Sequence, residues 1–227
     1  MQGFLTPEKG SIRIDDVPLD SIPRTTLCNR IIALPQSPFF FPGGYTARQN
    51  LEFHGEDGAF AWTQDQPIAP SRQIQDEDCE YALRRVNLWH LVATRGGLDA
   101  EMREDSLSKG ERQLFSLARA VVRARQRRRK SGSEDAAAQG GILLLDEVNT
   151  GLDDDAERLM WEVIGGEFGG YTVICIAHGL AGVDHCDTVV LLQAGEVAEA
   201  GTPSDLLGRK GGRFKELWER GGSLGRS

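Results

Sequence analysis

The sequence predicts an α/β domain in which helices cover a mostly parallel sheet. Two patterns carry that expectation. Short apolar runs alternate with amphipathic stretches, as they must when strands buried on both faces are connected by helices. Elsewhere apolar side chains recur at i, i+3, i+4, i+7 and i+8, which places them on one stripe of a helix. At 227 residues the chain is long enough for one large core of this type.

In chain order, "SIRID" (11 to 15), "RIIALP" (30 to 35), "GILLLD" (141 to 146), "YTVICIA" (171 to 177) and "DTVVLLQ" (187 to 193) read as strands, "YTVICIA" as a buried one. "QAG" then turns the chain into "EVAEAG", a hairpin in which Gly195 supplies the unusual backbone angles. A helix from about Asp76 to Val92 carries Cys79, Ala82, Leu83 and Val86 on one face. Leu114, Leu117, Ala118, Val121 and Val122 mark a second helix; Ala156, Leu159, Met160, Val163 and Ile164 mark a third. "TPSDLL" and "RFKELWER" read as short closing helices. Residues 123 to 141, "RARQRRRKSGSEDAAAQGG", change from basic to Ser/Gly to Ala-rich. That shift predicts a low-complexity surface insertion, disordered in its middle. Its Arg127 to Lys130 run reads as a solvated charge cluster rather than a nucleic-acid patch or a localisation signal.

Composition narrows the function. With 34 acidic against 26 basic residues the formal charge is -8, unsuited to a chain whose main task is gripping a phosphate backbone. The four cysteines form no CxxC pair, which points to a reducing compartment. Cys175, His178, His185 and Cys186 bunch together, but Cys175 lies inside an apolar strand run, so a zinc site is not expected. No stretch approaches the ~18 apolar residues of a membrane helix, and the N-terminus lacks a signal-peptide pattern, so this chain is not expected to cross a membrane itself.

The chemistry gathers at strand ends. In open parallel sheets ligands bind beyond the carboxyl ends of the strands. The aliphatic run 142 to 145 delivers Asp146 and Glu147 to that edge, where two adjacent carboxylates repel one another unless a cation such as Mg²⁺ sits nearby. Acidic residues at a strand end can equally cap the next turn. Ser108 and Glu111 in "SLSKGERQL" form a capping box opening the second helix. The same helix end, with Gly110 allowing close approach, can also present N–H groups to a phosphate. Gln36 follows "RIIALP" and His178 follows "YTVICIA", placing an amide and an imidazole at two further strand ends.

The order "LPQSP", "TARQNL", "GLDAE", "LSKGERQLFSLARA", "ILLLDE", "TGLD" and "IAH" resembles the nucleotide-binding domain of ABC transporters, over about residues 1 to 220. It is most similar to the second such domain of fungal C-type (multidrug-resistance-associated) exporters. The resemblance implies a P-loop NTPase-like fold with a helical subdomain over about residues 50 to 122. It makes Gln36 the Q-loop glutamine and Leu107, Ser108, Lys109, Gly110 and Glu111 the signature motif. Asp146 would close the Walker B strand and, with Gln36, serve the metal; Glu147 would be the catalytic base. Leu152 and Asp153 would belong to the D-loop, and His178 would be the switch histidine steadying a terminal phosphate. ATP and Mg²⁺ are the implied cofactors. The implied partners are a second, head-to-tail nucleotide-binding domain and transmembrane domains, on the cytoplasmic side of a membrane. No nucleic-acid partner is implied.

Several positions depart from the family pattern. The phosphate cradle GxxxxGK[ST] occurs nowhere in the sequence, and the dipeptide Gly-Lys is absent altogether. The expectation is a chain that begins just past the P-loop, with its N-terminal strand missing. Such a chain would bind ATP very weakly alone, hydrolyse none, and expose apolar sheet surface. The signature reads "LSKGE" where LSGGQ is usual, the D-loop reads "TGLD", and Gly179 follows His178 where Arg is common. Two rival readings remain: a non-catalytic partner lending its signature face to another ATP site, and a soluble DNA-associated ABC-type ATPase, supported only by the basic insertion.

Overall fold

A computed structural model describes residues 7, 9–41, 43–52, 75–131, 140–149, 151–177, 180 and 182–221. They divide into two compact units, Met1–Cys175 and Ile176–Ser227.

In the first unit the predicted N-terminal strand shrinks to a two-residue antiparallel pair, β1 (Arg13–Ile14) and β2 (Val17–Pro18), because Asp15 and Asp16 form a tight turn at φ +48° and +61°. Helix α1 (Arg24–Arg30) leads into β3 (Ile31–Leu34), and α2 (Ala47–Glu52) follows. The helix expected from Asp76 to Val92 is two helices, α3 (Asp76–Arg85) and α4 (Trp89–Thr94). Asn87 breaks it by adopting φ +58°, the left-handed conformation in which helices commonly end. Helix α5 (Lys109–Ser131) precedes β4 (Gly141–Asp146), α6 (Asp154–Glu167) and β5 (Tyr171–Ile176).

Strands β3, β4 and β5 form one sheet in that order. β3 and β4 are parallel, with Ile31 opposite Ile142 and Leu34 opposite Leu145. The core is where helix stripes meet this sheet: Leu117, Ala118, Val121 and Val122 of α5 and Val163 and Ile164 of α6 close over Ile32, Leu34, Leu143 and Leu145. The heptad-like spacing thus finds its sheet. β5 departs from expectation: it is an end strand of the sheet among the described residues, and Val173, Ile174 and Ile176 are exposed.

The basic run is the largest correction. Instead of a solvated insertion beginning at residue 123, α5 continues through Ser131. Arg125 bonds the buried carboxylate of Asp78 at 2.9 Å and lies 3.9 Å from the centre of the Tyr81 ring. Arg127 reaches the carbonyls of Cys28 and Ile31, Arg128 the carbonyl and carboxylate of Glu167, and Arg129 Asp78 and Gln75. Two buried acids, Asp78 and Glu167, face this end of the helix, and paired charges are what a partly buried arginine needs. The Ser/Gly/Ala part, 132–139, lies outside the described residues.

The second unit is a hairpin, β6 (Val189–Gln193) with β7 (Glu196–Gly201), turned by Ala194 and Gly195 at φ +48° and +83°. Helices α7 (Pro203–Gly208) and α8 (Arg213–Gly221) follow, and Val183, Leu206 and Phe214 form its small core. Thr202 caps α7, and Glu199 accepts the N–H groups of Arg213 and Phe214, which hold its carboxyl below the usual range. No helix among the described residues is long and apolar enough to cross a membrane.

Candidate functional site

Because β3 and β4 run parallel and in register at Leu34 and Leu145, both strands end at the same edge of the sheet. Gln36 lies two residues past the first strand end; Asp146 and Glu147 close the second. The register alone therefore brings these three residues together. Gln36 Nε2 donates a hydrogen bond to Glu147 Oε2 at 2.6 Å. Glu147 sits at φ +50°, a conformation few residues other than glycine adopt without strain. That bend divides the two adjacent acids: the Asp146 side chain is exposed, while Glu147 is half-buried beside Gln36. A carboxylate steadied by an amide N–H can orient and polarise a water molecule, with the exposed acid left for a cation.

The segment 107–111 packs against the turn at Gly151 and Leu152. Ser108 Oγ accepts the Glu111 N–H at 3.2 Å while Glu111 Oε2 accepts the Ser108 N–H at 2.7 Å, the reciprocal capping box that opens α5. Leu107 is buried behind it. Lys109 lies across Gly151, where a Cβ would fall 2.7 Å from Lys109 Cδ, and a Cβ at Gly110 would touch Leu152 at 3.5 Å. Gly151, at φ +88°, supplies both the turn and the space for the lysine stem. Asp153 caps α6, its Oδ1 accepting the Ala156 N–H at 2.8 Å. His178 lies outside the described residues.

Two contributors were not singled out from the sequence. Gln113 is buried at 3% exposure, and its Nε2 donates to the Gln36 carbonyl at 2.6 Å. Arg119 donates to the carbonyls of Phe39 and Asn50 and lies over the rings of Phe40 and Phe115; burial holds its guanidinium below the ordinary arginine range, at about 10. The available signal was a glutamine and an arginine on a helix face otherwise buried and apolar.

Asp146 and the amide oxygen of Gln36 are hard oxygen donors, the kind Mg²⁺ takes alongside phosphate and water. Among the described residues no three His, Cys, Asp or Glu side chains cluster as metal ligands; Mg²⁺ does not require it, whereas a structural zinc site does. A nucleotide's phosphates fit less well, since these 227 residues contain no GxxxxGK[ST] cradle.

The sequence model of the ABC transporter family matches residues 1–126, more than half the chain, and the chain belongs to that family. The matched span includes Gln36 and residues 107–111 and ends before Asp146. The chain is 42% identical to the ABC-type transporter braE of Annulohypoxylon truncatum over 93% of its own length, and 36% identical to the ABC transporter FGM5 of Gibberella zeae over 94%. It spans only 13% of the length of each. A bacterial Atm1-family ABC exporter solved with ATP bound superimposes with a TM-score of 0.73 at 25% identity, covering 96% of this chain and 33% of that one. The fold is the α/β, P-loop NTPase-like fold of ABC ATP-binding domains.

Proposed function

We propose that this chain is an ATP-binding and ATP-hydrolysing module of an ABC exporter, most like the second nucleotide-binding domain of a C-type exporter. In this reading residues 1–227 form one partial ABC domain on the cytoplasmic side of a membrane. The observation that carries it is the Gln36 to Glu147 hydrogen bond at two adjoining strand ends, beside the exposed Asp146.

Glu147 would orient the attacking water and take up its proton, and Gln36 would hold the carboxylate in place. Asp146 and the Gln36 amide oxygen would hold Mg²⁺, which when bound neutralises phosphate charge. His178 would hydrogen-bond the terminal phosphate. Ser108 and Gly110 would act on nucleotide held by a second, head-to-tail domain, and the transmembrane domains would carry the transported compound. The isolated chain, without a GxxxxGK[ST] segment, is expected to bind ATP weakly and to turn none over. The basic run lends little to a DNA-binding alternative, since Arg125, Arg127, Arg128 and Arg129 are engaged within the chain.

Glu147→Gln in the intact transporter tests the assignment. Loss of the base should lower steady-state ATP turnover by at least about 10²-fold. Turnover that survives the change would refute the role given to Glu147.

A further inference from the structure

Helix α5 holds the stretch 36–41 by side chains at two points. Gln113 donates to the carbonyl of Gln36 at 2.6 Å, and Arg119 donates to that of Phe39 at 3.0 Å. The far end is tied as well, Asn50 Oδ1 accepting the Phe41 N–H at 3.0 Å. Of these bonds the one from Gln113 is nearest the chemistry, because it grips the backbone of the residue whose side chain bonds Glu147.

Gln113 is also a poor choice for stability. It sits at 3% exposure beside Leu114 and Leu117, and among the described residues its Oε1 is buried with no hydrogen-bond partner. A buried acceptor left without a donor destabilises the folded chain, and an apolar side chain of similar shape would avoid that cost. A local rule broken in this way points to function rather than packing.

We propose that Gln113 is a positioning residue: it latches the Gln36 backbone to α5, so that the helix opened by the Ser108 and Glu111 capping box sets where the Gln36 amide meets Glu147. The proposal rests on the ATPase reading for its catalytic consequence but not for the latch itself. Movement of the 107–111 end of α5 is then transmitted to Glu147 through one side chain, with no contact between Gln113 and the reacting atoms.

The test is made in the full-length protein with Gln113→Met, and with Gln113→Leu as a second variant. The thermal midpoint should stay the same or rise. Hydrogen exchange of the amides in 36–41 should quicken about tenfold as the segment opens locally. Steady-state ATP turnover should lose about tenfold in kcat while KM for ATP stays within about twofold, the pattern of a lost transition-state contribution. Unchanged exchange over 36–41 would overturn the latch, and so would a fall in midpoint for both variants with kcat retained, which marks an ordinary core residue. Glu147→Gln in the same background separates the two claims. If turnover survives that change, the catalytic reading fails and the exchange result alone decides the latch.

Discussion

Strands β4 and β5 look alike in sequence and behave differently in the fold. "GILLLD" and "YTVICI" are both six-residue strands rich in aliphatic side chains. Yet Leu143 and Leu145 are 0% and 1% exposed, whereas Val173 and Ile174 are 38% and 43% exposed. β4 lies between two strands and under two helix stripes; β5 has a described strand on one side only. An apolar run therefore specifies a strand, while its neighbours decide whether that strand is buried. The comparison also explains why the site is built on β4: a strand held on both sides keeps its last residues in place, and Glu147 stays in a backbone conformation that it would not adopt unaided.

The largest expected effect lies in β4. Leu143→Ala should cost about 2–5 kcal/mol in chemical denaturation, the range for opening a cavity at a fully buried leucine. Ile174→Ala should cost well under half of that. Equal costs would break the comparison and mean that something covers the outer face of β5.

Next is the point where the three strands converge. A Cβ at Gly141 would fall 2.5 Å from the Arg30 carbonyl oxygen and 2.7 Å from the Tyr171 ring. Backbone cannot give way as a flexible side chain can, so Gly141→Ala should destabilise by about 1–3 kcal/mol, read as a lowered midpoint of thermal unfolding. A neutral result would show that β4 begins with more freedom than its packing against β3 and β5 implies.

The smallest effect on stability belongs to the exposed strand. Val173→Thr with Ile174→Thr should change stability by no more than about 0.5 kcal/mol each. The pair should also reduce self-association in light scattering, since exposed apolar strand surface favours pairing between chains. Undiminished association would place the sticky surface elsewhere, for instance on the exposed Val190, Leu192 and Val197 of β6 and β7.

The site was legible to different depths. Gln36 and the Asp146–Glu147 pair could be singled out because each stands at the end of an apolar run, and a parallel register gathers such ends at one edge. The capping box was legible because Ser108 and Glu111 are three residues apart and their bonds are local. Gln113 and Arg119 were not, because their partners lie 77 and 80 residues away and no spacing within α5 reveals them. The basic run was misread for the same reason: charge density in a window suggests solvent, and only the fold shows Asp78 and Glu167 waiting in the interior.

By itself the sequence determined what depends on near neighbours: the apolar strands, the helix stripes, the caps at Ser108, Asp153 and Thr202, and the residue types at the strand ends. Those follow from period and local hydrogen bonding, which operate over a few residues. Tertiary structure decided which strand is buried, how far α5 runs, and that the Gln36 amide bonds Glu147 while its carbonyl is held by Gln113. Each of these is a contact between groups distant in the chain, and its free energy exists only once the fold has brought them into reach.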